Sequence, residues 1–473
     1  MKTHPVYLNG DFVVTEETLP VMNPATNEVI ARMSVLSRER VAEALKDAHT
    51  AFASWRTVTA KSRGELLMRI ANELEHRRGE IARIITLESG KPLSQSLGEV
   101  AISVAHLHWF AEEARRAYGR VVPPMVDGKR HLVVKSPIGV VGAITPWNFP
   151  LMLAVRKVAA ALAAGCAVVL KPSEITPMTA VAFAECIDKV KPPPGVFQLV
   201  MGTGEDVGME FAQNPLCRKI SLTGSTATGQ KLIGYSARTV KPLLLELGGQ
   251  APVIVFDDAD LYPAVDGVVM AKFRNAGQSC IAANRIYVQR GIYKNFLETL
   301  VGRVVEMKLG DGLEDNIEIG PLINRQAVER AVEHVQDAVQ GGAKVMCGGN
   351  PGAGPGCFFE ATVLADVPRG SLCMLEETFA PIAPVCVFDK EEEVVQLAND
   401  SSHGLAAYVF TRDLSRAFRL MDNIEAGIIS INDGLPTTSQ APFGGMKSSG
   451  WGRELGSEGL DAFLETKHVS IGL

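Results

Sequence analysis

Cys280 stands in the run Phe273-Arg274-Asn275-Ala276-Gly277-Gln278-Ser279-Cys280, where glycine and small polar residues surround a thiol and a guanidinium lies nearby. A tight, accessible backbone of this kind suits a nucleophile, and an inert structural cysteine fits the local pattern about as well. Glu246 closes the apolar run Leu243-Leu244-Leu245 and meets Gly248 and Gly249. A carboxylate at a strand end beside a cleft is desolvated and available as a base; a strand-terminal salt bridge is the other reading. None of the nine histidines has a comparable glycine-rich setting, which weakens a Cys–His protease.

Two glycine patterns bear on phosphate binding. Gly202, Gly204 and Gly208 come close to GxGxxG, but the last glycine falls one residue too far, and a strand-to-helix turn explains them as well. The better candidate runs from Lys219 through Gly224, Ser225 and Thr226 to Gly229. A strand leads there into a glycine, two hydroxyls and a helix, aiming N–H groups and the positive helix end at an anion. Simple N-capping by Ser225 is the alternative. Lys171 and Glu174 follow a buried strand and so lie at a carboxyl sheet edge, where ligands of open α/β folds collect. Loop lysines and glutamates are more often only solvated. A carboxylate at that place would accept hydrogen bonds from ribose hydroxyls and repel a 2′-phosphate.

The elements that must hold these residues follow from the periodicity. Val41, Leu45, Ala48, Phe52 and Trp55 recur at helical spacing, and Ser62 with Glu65 reads as a capping box ahead of Leu66 and Ile70. From about residue 133 strands and helices alternate: 140–145, 150–164, 167–171, 179–190, 197–201, 205–213, 219–223, 227–236 and 242–246. That order predicts parallel strands joined by crossover helices, a doubly wound α/β arrangement. A second such series begins near residue 248, with strands at 253–256, 286–289, 383–388, 406–410 and 427–432. The most membrane-like stretch, 149–170, is interrupted by Arg156 and Lys157 and reads as a buried helix and strand.

The chain has 473 residues, 47% of them apolar and 21% charged, the composition of a folded protein of two or three domains. Its net charge of −6 argues against nucleic acid or an anionic membrane as the main partner. Eight scattered cysteines without CxxC pairs argue against a metal site or a disulfide framework, and for a reducing, cytoplasmic setting. The first twelve residues lack the apolar core of a signal peptide.

Taken together, the motifs resemble the aldehyde dehydrogenase superfamily over essentially the whole chain. The match rests on Pro146-Trp147-Asn148-Phe149-Pro150, Lys171-Pro-Ser-Glu174, Gly224–Gly229, Glu246-Leu247-Gly-Gly249, Gly277-Gln-Ser-Cys280 and Glu376-Glu377-Thr-Phe379, with Pro442–Gly445 and Gly452-Arg-Glu454 at the end. The resemblance implies residues 1–117 with 138–247 as an NAD-binding domain and 248–454 as a catalytic domain. It assigns 118–137 and 455–473 to a small β oligomerisation element that builds homodimers or homotetramers. Cys280 would attack the aldehyde, Asn148 and the Cys280 N–H would stabilise the oxyanion, and Glu246 would activate water against the thioester left after hydride transfer. Lys157 would tune local pKa values. Trp147, Lys171, Glu174, Gly224, Ser225, Gly229, Leu247, Glu377 and Phe379 would hold the cofactor, with NAD preferred and NADP possible because of Glu174. Glu246 also disfavours the CoA-acylating branch.

Within the superfamily the chain looks most like succinate-semialdehyde dehydrogenases. Arg156 and Arg274 fall where that group binds the substrate's distal carboxylate, and a guanidinium fork suits a carboxylate in shape and charge. Thr438, or its neighbour Thr437, would supply a third anchor. Ala282 stands where some members carry a second, redox-switching cysteine. Alternatives are glutarate or 2-oxoglutarate semialdehyde, a broad small-aldehyde activity, a thiol hydrolase, or a non-catalytic binding protein, against which Cys280, Glu246 and Asn148 speak together.

Overall fold

The computed structural model describes residues 1–473. Its first large sheet has eight strands in the order Gly450–Trp451, Leu243–Glu246, Cys217–Thr223, Val140–Ile144, Ala167–Lys171, Phe197–Leu199, Val6–Leu8 and Asp11–Val13. The five from Leu243–Glu246 to Phe197–Leu199 pair in parallel. Parallel strands carry helices on their faces, so Val140–Ile144 and Ala167–Lys171 are buried at every residue and read as unbroken apolar runs. The chain lays down Val140–Ile144, adds two strands on one side, then crosses to build Cys217–Thr223 and Leu243–Glu246 on the other. That reversal opens a crevice at the carboxyl ends of Val140–Ile144 and Cys217–Thr223.

The second sheet has seven strands in the order Lys344–Cys347, Thr362–Ala365, Ile382–Phe388, Ala283–Gln289, Ala251–Val255, Ala406–Phe410 and Ile428–Ile431. All pairs are parallel except the edge strand Lys344–Cys347. Between Glu246 and Ala251 the chain passes from the carboxyl edge of the first sheet to the amino edge of the second. Cys280 lies just before Ala283–Gln289, on that same amino edge. The thiol and the carboxylate are therefore brought together by the seam between two sheets.

A separate antiparallel sheet joins Arg120–Val122, Lys129–Pro137 and Leu464–Gly472; the last two pair in continuous register from Lys129↔Gly472 to Pro137↔Leu464. No helix is long and apolar enough to cross a membrane.

Three expectations change. Before the first helix, Arg38–Trp55, the chain forms five short strands, two of which, Val6–Leu8 and Asp11–Val13, extend the first sheet. Val6–Leu8 and Asp11–Val13 are too short for a legible pattern, and Tyr7 finds its partner at Leu199. The helix Ala60–His76 is capped by Thr59, whose hydroxyl accepts from the Ser62 N–H at 3.2 Å, so Ser62 is inside the first turn. Finally, Gly450–Trp451, expected within the second domain, pairs antiparallel with Leu243–Glu246 of the first sheet.

Candidate active site

The crevice of the first sheet is a cavity of about 410 Å³ lined by Trp147, Lys171, Glu174, Gly224 and Ser225. Ser225 both caps and lines: its hydroxyl accepts from the Thr228 N–H at 3.2 Å at the start of the helix Thr226–Ser236. Lys171 is 3% exposed and its ammonium lies 2.8 Å from a Glu174 oxygen. Burial lowers the Lys171 pKa, and Glu174 opposes the shift. Thr145 and Thr223, also in this lining, hold buried hydroxyls without partners. A helix N-terminus, free hydroxyls and a cation–carboxylate pair fit the phosphates and riboses of a dinucleotide. Gly229 and Leu247 stand outside the cavity and pack on each other; a Cβ at Gly229 would come within 2.7 Å of Leu247. The Gly202–Gly208 segment is a turn into the helix Gly204–Gln213 capped by Thr203, although Gly204 and Gly208 also line the crevice.

At the seam, a Cβ on Gly249 would sit 2.2 Å from the Cys280 carbonyl oxygen. Only glycine lets the turn after Glu246 lie against the thiol loop. Gly277, at φ +74°, does the same on the other side, where a Cβ would meet the Ala380 oxygen at 2.2 Å. Asn275, Ala276 and Phe379 have φ of 53°, 53° and 46°. Such left-handed non-glycine residues cost free energy and persist only where surrounding contacts impose them.

Glu246 is 1% exposed and neither carboxylate oxygen has a hydrogen-bond partner. Burial, aided by the charge of Glu454, pushes its pKa up to about 7. The half-buried Cys280 thiol is pushed well above its ordinary value by desolvation and by the Glu246 and Glu377 carboxylates, while Arg156 pulls it down. The two groups therefore oppose each other's ionisation, and a proton leaving the thiol has Glu246 as a neighbouring base.

Asn148 is buried between the sheets, its side-chain amide donating to the Gln278 carbonyl at 3.1 Å and its own carbonyl accepting from Asn275 at 3.0 Å. Asn275 also donates to the Gln278 carbonyl at 3.0 Å, closing a polar ring between Asn148 and the loop that carries Cys280. One amide hydrogen of Asn148 is left for an oxyanion.

Cys280, Arg156 and Arg274 line one cavity of about 390 Å³. Arg156 is buried on the helix Pro150–Ala164, 4.4 Å above the Phe443 ring and 3.4 Å from Glu454. Arg274 lies 5.0 Å above the Phe149 ring. Lys157, next to Arg156, is fully buried and pairs with Glu454 and, at 3.1 Å, with the Ser221 hydroxyl. Despite burial, Lys157 and Arg156 hold the Glu454 carboxyl below its ordinary value. Lys157 thus reaches Glu246 through its charge and makes no bond to it.

Thr438 is a correction. Its hydroxyl donates to the Gln440 side chain at 2.6 Å and it does not line the cavity, whereas Thr437 does. Leu435 and Thr437 line the cavity and Thr438 does not, and nothing in the local sequence says which of the two threonines faces the thiol.

Glu377 lies beneath the Gly248–Gly249 turn, accepting the Gly249 N–H at 3.1 Å; burial pushes it up to about 7. The Phe379 ring meets Trp147 edge-on at 5.6 Å. Neither lines the first-sheet crevice; both stand between it and Cys280. Sequence reasoning missed Lys91, Glu99, Lys272 and Asn275. Lys272 is fully buried, donates to the Thr378 hydroxyl at 3.0 Å, and has a pKa lowered to about 7 by burial. Only a charged residue at an apolar helical position, as Lys272 is after Val268, Val269 and Ala271, could have signalled it.

A dinucleotide crevice facing a thiol and a desolvated carboxylate across the seam of two doubly wound sheets defines a thiol-using nucleotide-linked oxidoreductase. The sequence model of the aldehyde dehydrogenase family matches residues 12–469, and the chain belongs to that family. It is an NAD(P)-dependent aldehyde dehydrogenase. It is 45% identical to glutarate-semialdehyde dehydrogenase of Pseudomonas aeruginosa, over 98% of this chain and 97% of that one. Identity is also 45% with the NADP-linked succinate-semialdehyde dehydrogenase of Escherichia coli, with the same coverage of each. The crystal structure of succinate-semialdehyde dehydrogenase from Burkholderia pseudomallei superposes with a TM-score of 0.98 at 43% identity, covering 99% of this chain and 98% of that one.

Proposed function

We propose that this enzyme oxidises a small aldehyde bearing a distal carboxylate, succinate semialdehyde first, and that Cys280, Glu246 and Asn148 carry the reaction. One observation supports the substrate class above the rest: two guanidiniums, Arg156 and Arg274, face the same 390 Å³ cavity as the thiol. A charged pair of forks in a largely apolar pocket favours a carboxylate and leaves neutral aldehydes without a partner.

The Cys280 sulfur adds to the aldehyde carbon as its proton passes to Glu246. The resulting oxyanion takes hydrogen bonds from the Asn148 amide and the Cys280 N–H, each worth ~3 kcal/mol of barrier. A dinucleotide held in the first-sheet crevice would supply the hydride acceptor for the substrate carbon. Glu246 releases the thiol's proton to solvent, then takes a proton from water as it attacks the Cys280 thioester and passes it to the departing sulfur, so the acid leaves with the thiol restored. Trp147, Lys171, Glu174, Gly224 and Ser225 hold the nucleotide, Glu377 and Phe379 its reactive end, and Gly229 and Leu247 fix the helix against the catalytic turn. NAD is preferred because Glu174 sits in the crevice as an acceptor for ribose hydroxyls and repels a 2′-phosphate; Lys171 at its side leaves NADP usable.

Comparing kcat/KM for succinate semialdehyde, glutarate semialdehyde and propanal by NADH absorbance tests the reading. A preference of at least tenfold for the acids is expected, and equal values for propanal and succinate semialdehyde would sink the carboxylate clamp. Glutarate semialdehyde is the second reading, favoured by the similarity to the Pseudomonas enzyme of that name. Cys280→Ala should abolish oxidation of every aldehyde while NAD still binds.

We further propose that the sheet Arg120–Val122, Lys129–Pro137 and Leu464–Gly472 docks a second copy, giving a dimer or tetramer. Val121 is 74% exposed, and Val134, Val469 and Ile471 are also exposed on the same face, an apolar surface that a partner would cover. Eight free thiols suit a reducing, cytoplasmic setting.

A further inference from the structure

Beneath Asn148 lies an ion pair that the mechanism above does not use. Lys91, 2% exposed, donates to the Glu99 carboxylate at 2.5 Å and to the Asn148 carbonyl at 2.6 Å, and its ammonium stands 4.2 Å above the Phe149 ring. The second Glu99 oxygen accepts the N–H groups of Leu151 at 2.9 Å and Met152 at 3.2 Å, in the first turn of the helix Pro150–Ala164. One buried pair thus grips the backbone at Asn148 and three residues beyond it.

Burying two charges is costly, and apolar residues of similar volume often replace such a pair without loss of stability, though here they would leave the Asn148 carbonyl and the Leu151 and Met152 N–H groups unpartnered. What they could not do is fix a carbonyl from below. We propose that Lys91 is a positioning residue for the oxyanion site, acting through Asn148. Asn148 has its side-chain amide aimed along the Cys280 loop, so its backbone must not drift; a displacement of about 1 Å at such a donor costs on the order of a hundredfold in rate. Asn275 ties the same carbonyl to the Cys280 loop, and Lys91 ties it to Glu99 and so to the helix start. The inference rests on the reading of Asn148 as the oxyanion donor.

A double-mutant cycle tests both separately. Wild type, Lys91→Met, Asn148→Ala and the double variant are compared in kcat and KM for the aldehyde, in NAD affinity by fluorescence quenching, and in Tm. Lys91→Met is expected to lower kcat about ten- to a hundredfold with NAD affinity unchanged, while in the Asn148→Ala background it costs less than twofold. Lys91→Arg should recover part of the rate. An equal loss in both backgrounds, or an unchanged kcat in Lys91→Met alone, overturns the positioning role. Undiminished activity of Asn148→Ala overturns the oxyanion reading beneath it. Should Lys91→Met fail to fold because Glu99 is left unpaired, Lys91→Met/Glu99→Gln removes both charges and enters the same cycle.

Discussion

Glu246 combines two demands that conflict. As a base it must be dry and unbonded, and for that reason its folded pKa is raised to about 7. The rate of thioester hydrolysis should rise with pH through that value, and Glu246→Gln should remove the limb and cut kcat at least a hundredfold, on the order expected for losing a general base. The same shift has a sign in stability. A carboxyl whose folded pKa lies above its unfolded one favours the folded state at low pH and loses that contribution as pH rises toward 7. Glu246→Gln should therefore raise Tm at pH 8, by about 3 °C, and change it far less near pH 4.5, where calorimetry at the two pH values reads the difference. A lower Tm at pH 8 would mean that the ionised carboxylate has a partner in the folded enzyme.

Among the elements, the turn Leu247–Gly249 and the loop Asn275–Gln278 carry the alignment. Gly249→Ala forces the catalytic turn off the Cys280 carbonyl, whose oxygen its Cβ would approach to 2.2 Å. We expect kcat to fall about a hundredfold, as for a misplacement near 1 Å, while the first-sheet crevice keeps its NAD affinity. Loss of NAD binding in equal measure would show that the turn supports the whole seam. At the crevice, Glu174→Ala removes the carboxylate from a cavity that keeps Lys171. The ratio of kcat/KM for NADP over NAD should rise by about tenfold; a ratio that stays put would take Glu174 out of cofactor choice.

For the molecule as a whole, deletion of residues 464–473 removes the strand Leu464–Gly472, which pairs along the full length of Lys129–Pro137. Light scattering on the truncated chain should find smaller assemblies than on the intact one, and unchanged size would move the interface elsewhere. The sheets themselves were largely readable in advance. Parallel strands buried on both faces produce apolar runs such as Val140–Ile144 and Ala167–Lys171, bounded by helices of a different period. Val6–Leu8 and Asp11–Val13 escaped because three residues carry little pattern and the first sheet reaches them only through the distant Leu199, and Gly450–Trp451 because two residues carry none.

The candidate site side chains stood out in the sequence for a related reason. Cys280, Glu246 and Asn148 sit in short glycine- or proline-marked motifs, since a reactive group at a turn needs a particular backbone, and backbone demands are written locally. The choice of Thr437 over Thr438, the burial that gives Glu246 a pKa near 7, and the Lys91–Glu99 pair under Asn148 are different. Each depends on desolvation and on contacts between segments far apart in the chain. The sequence determined the residues and the two doubly wound sheets; the packing of the sheets against each other decided which groups are dry, which are paired and which face the thiol.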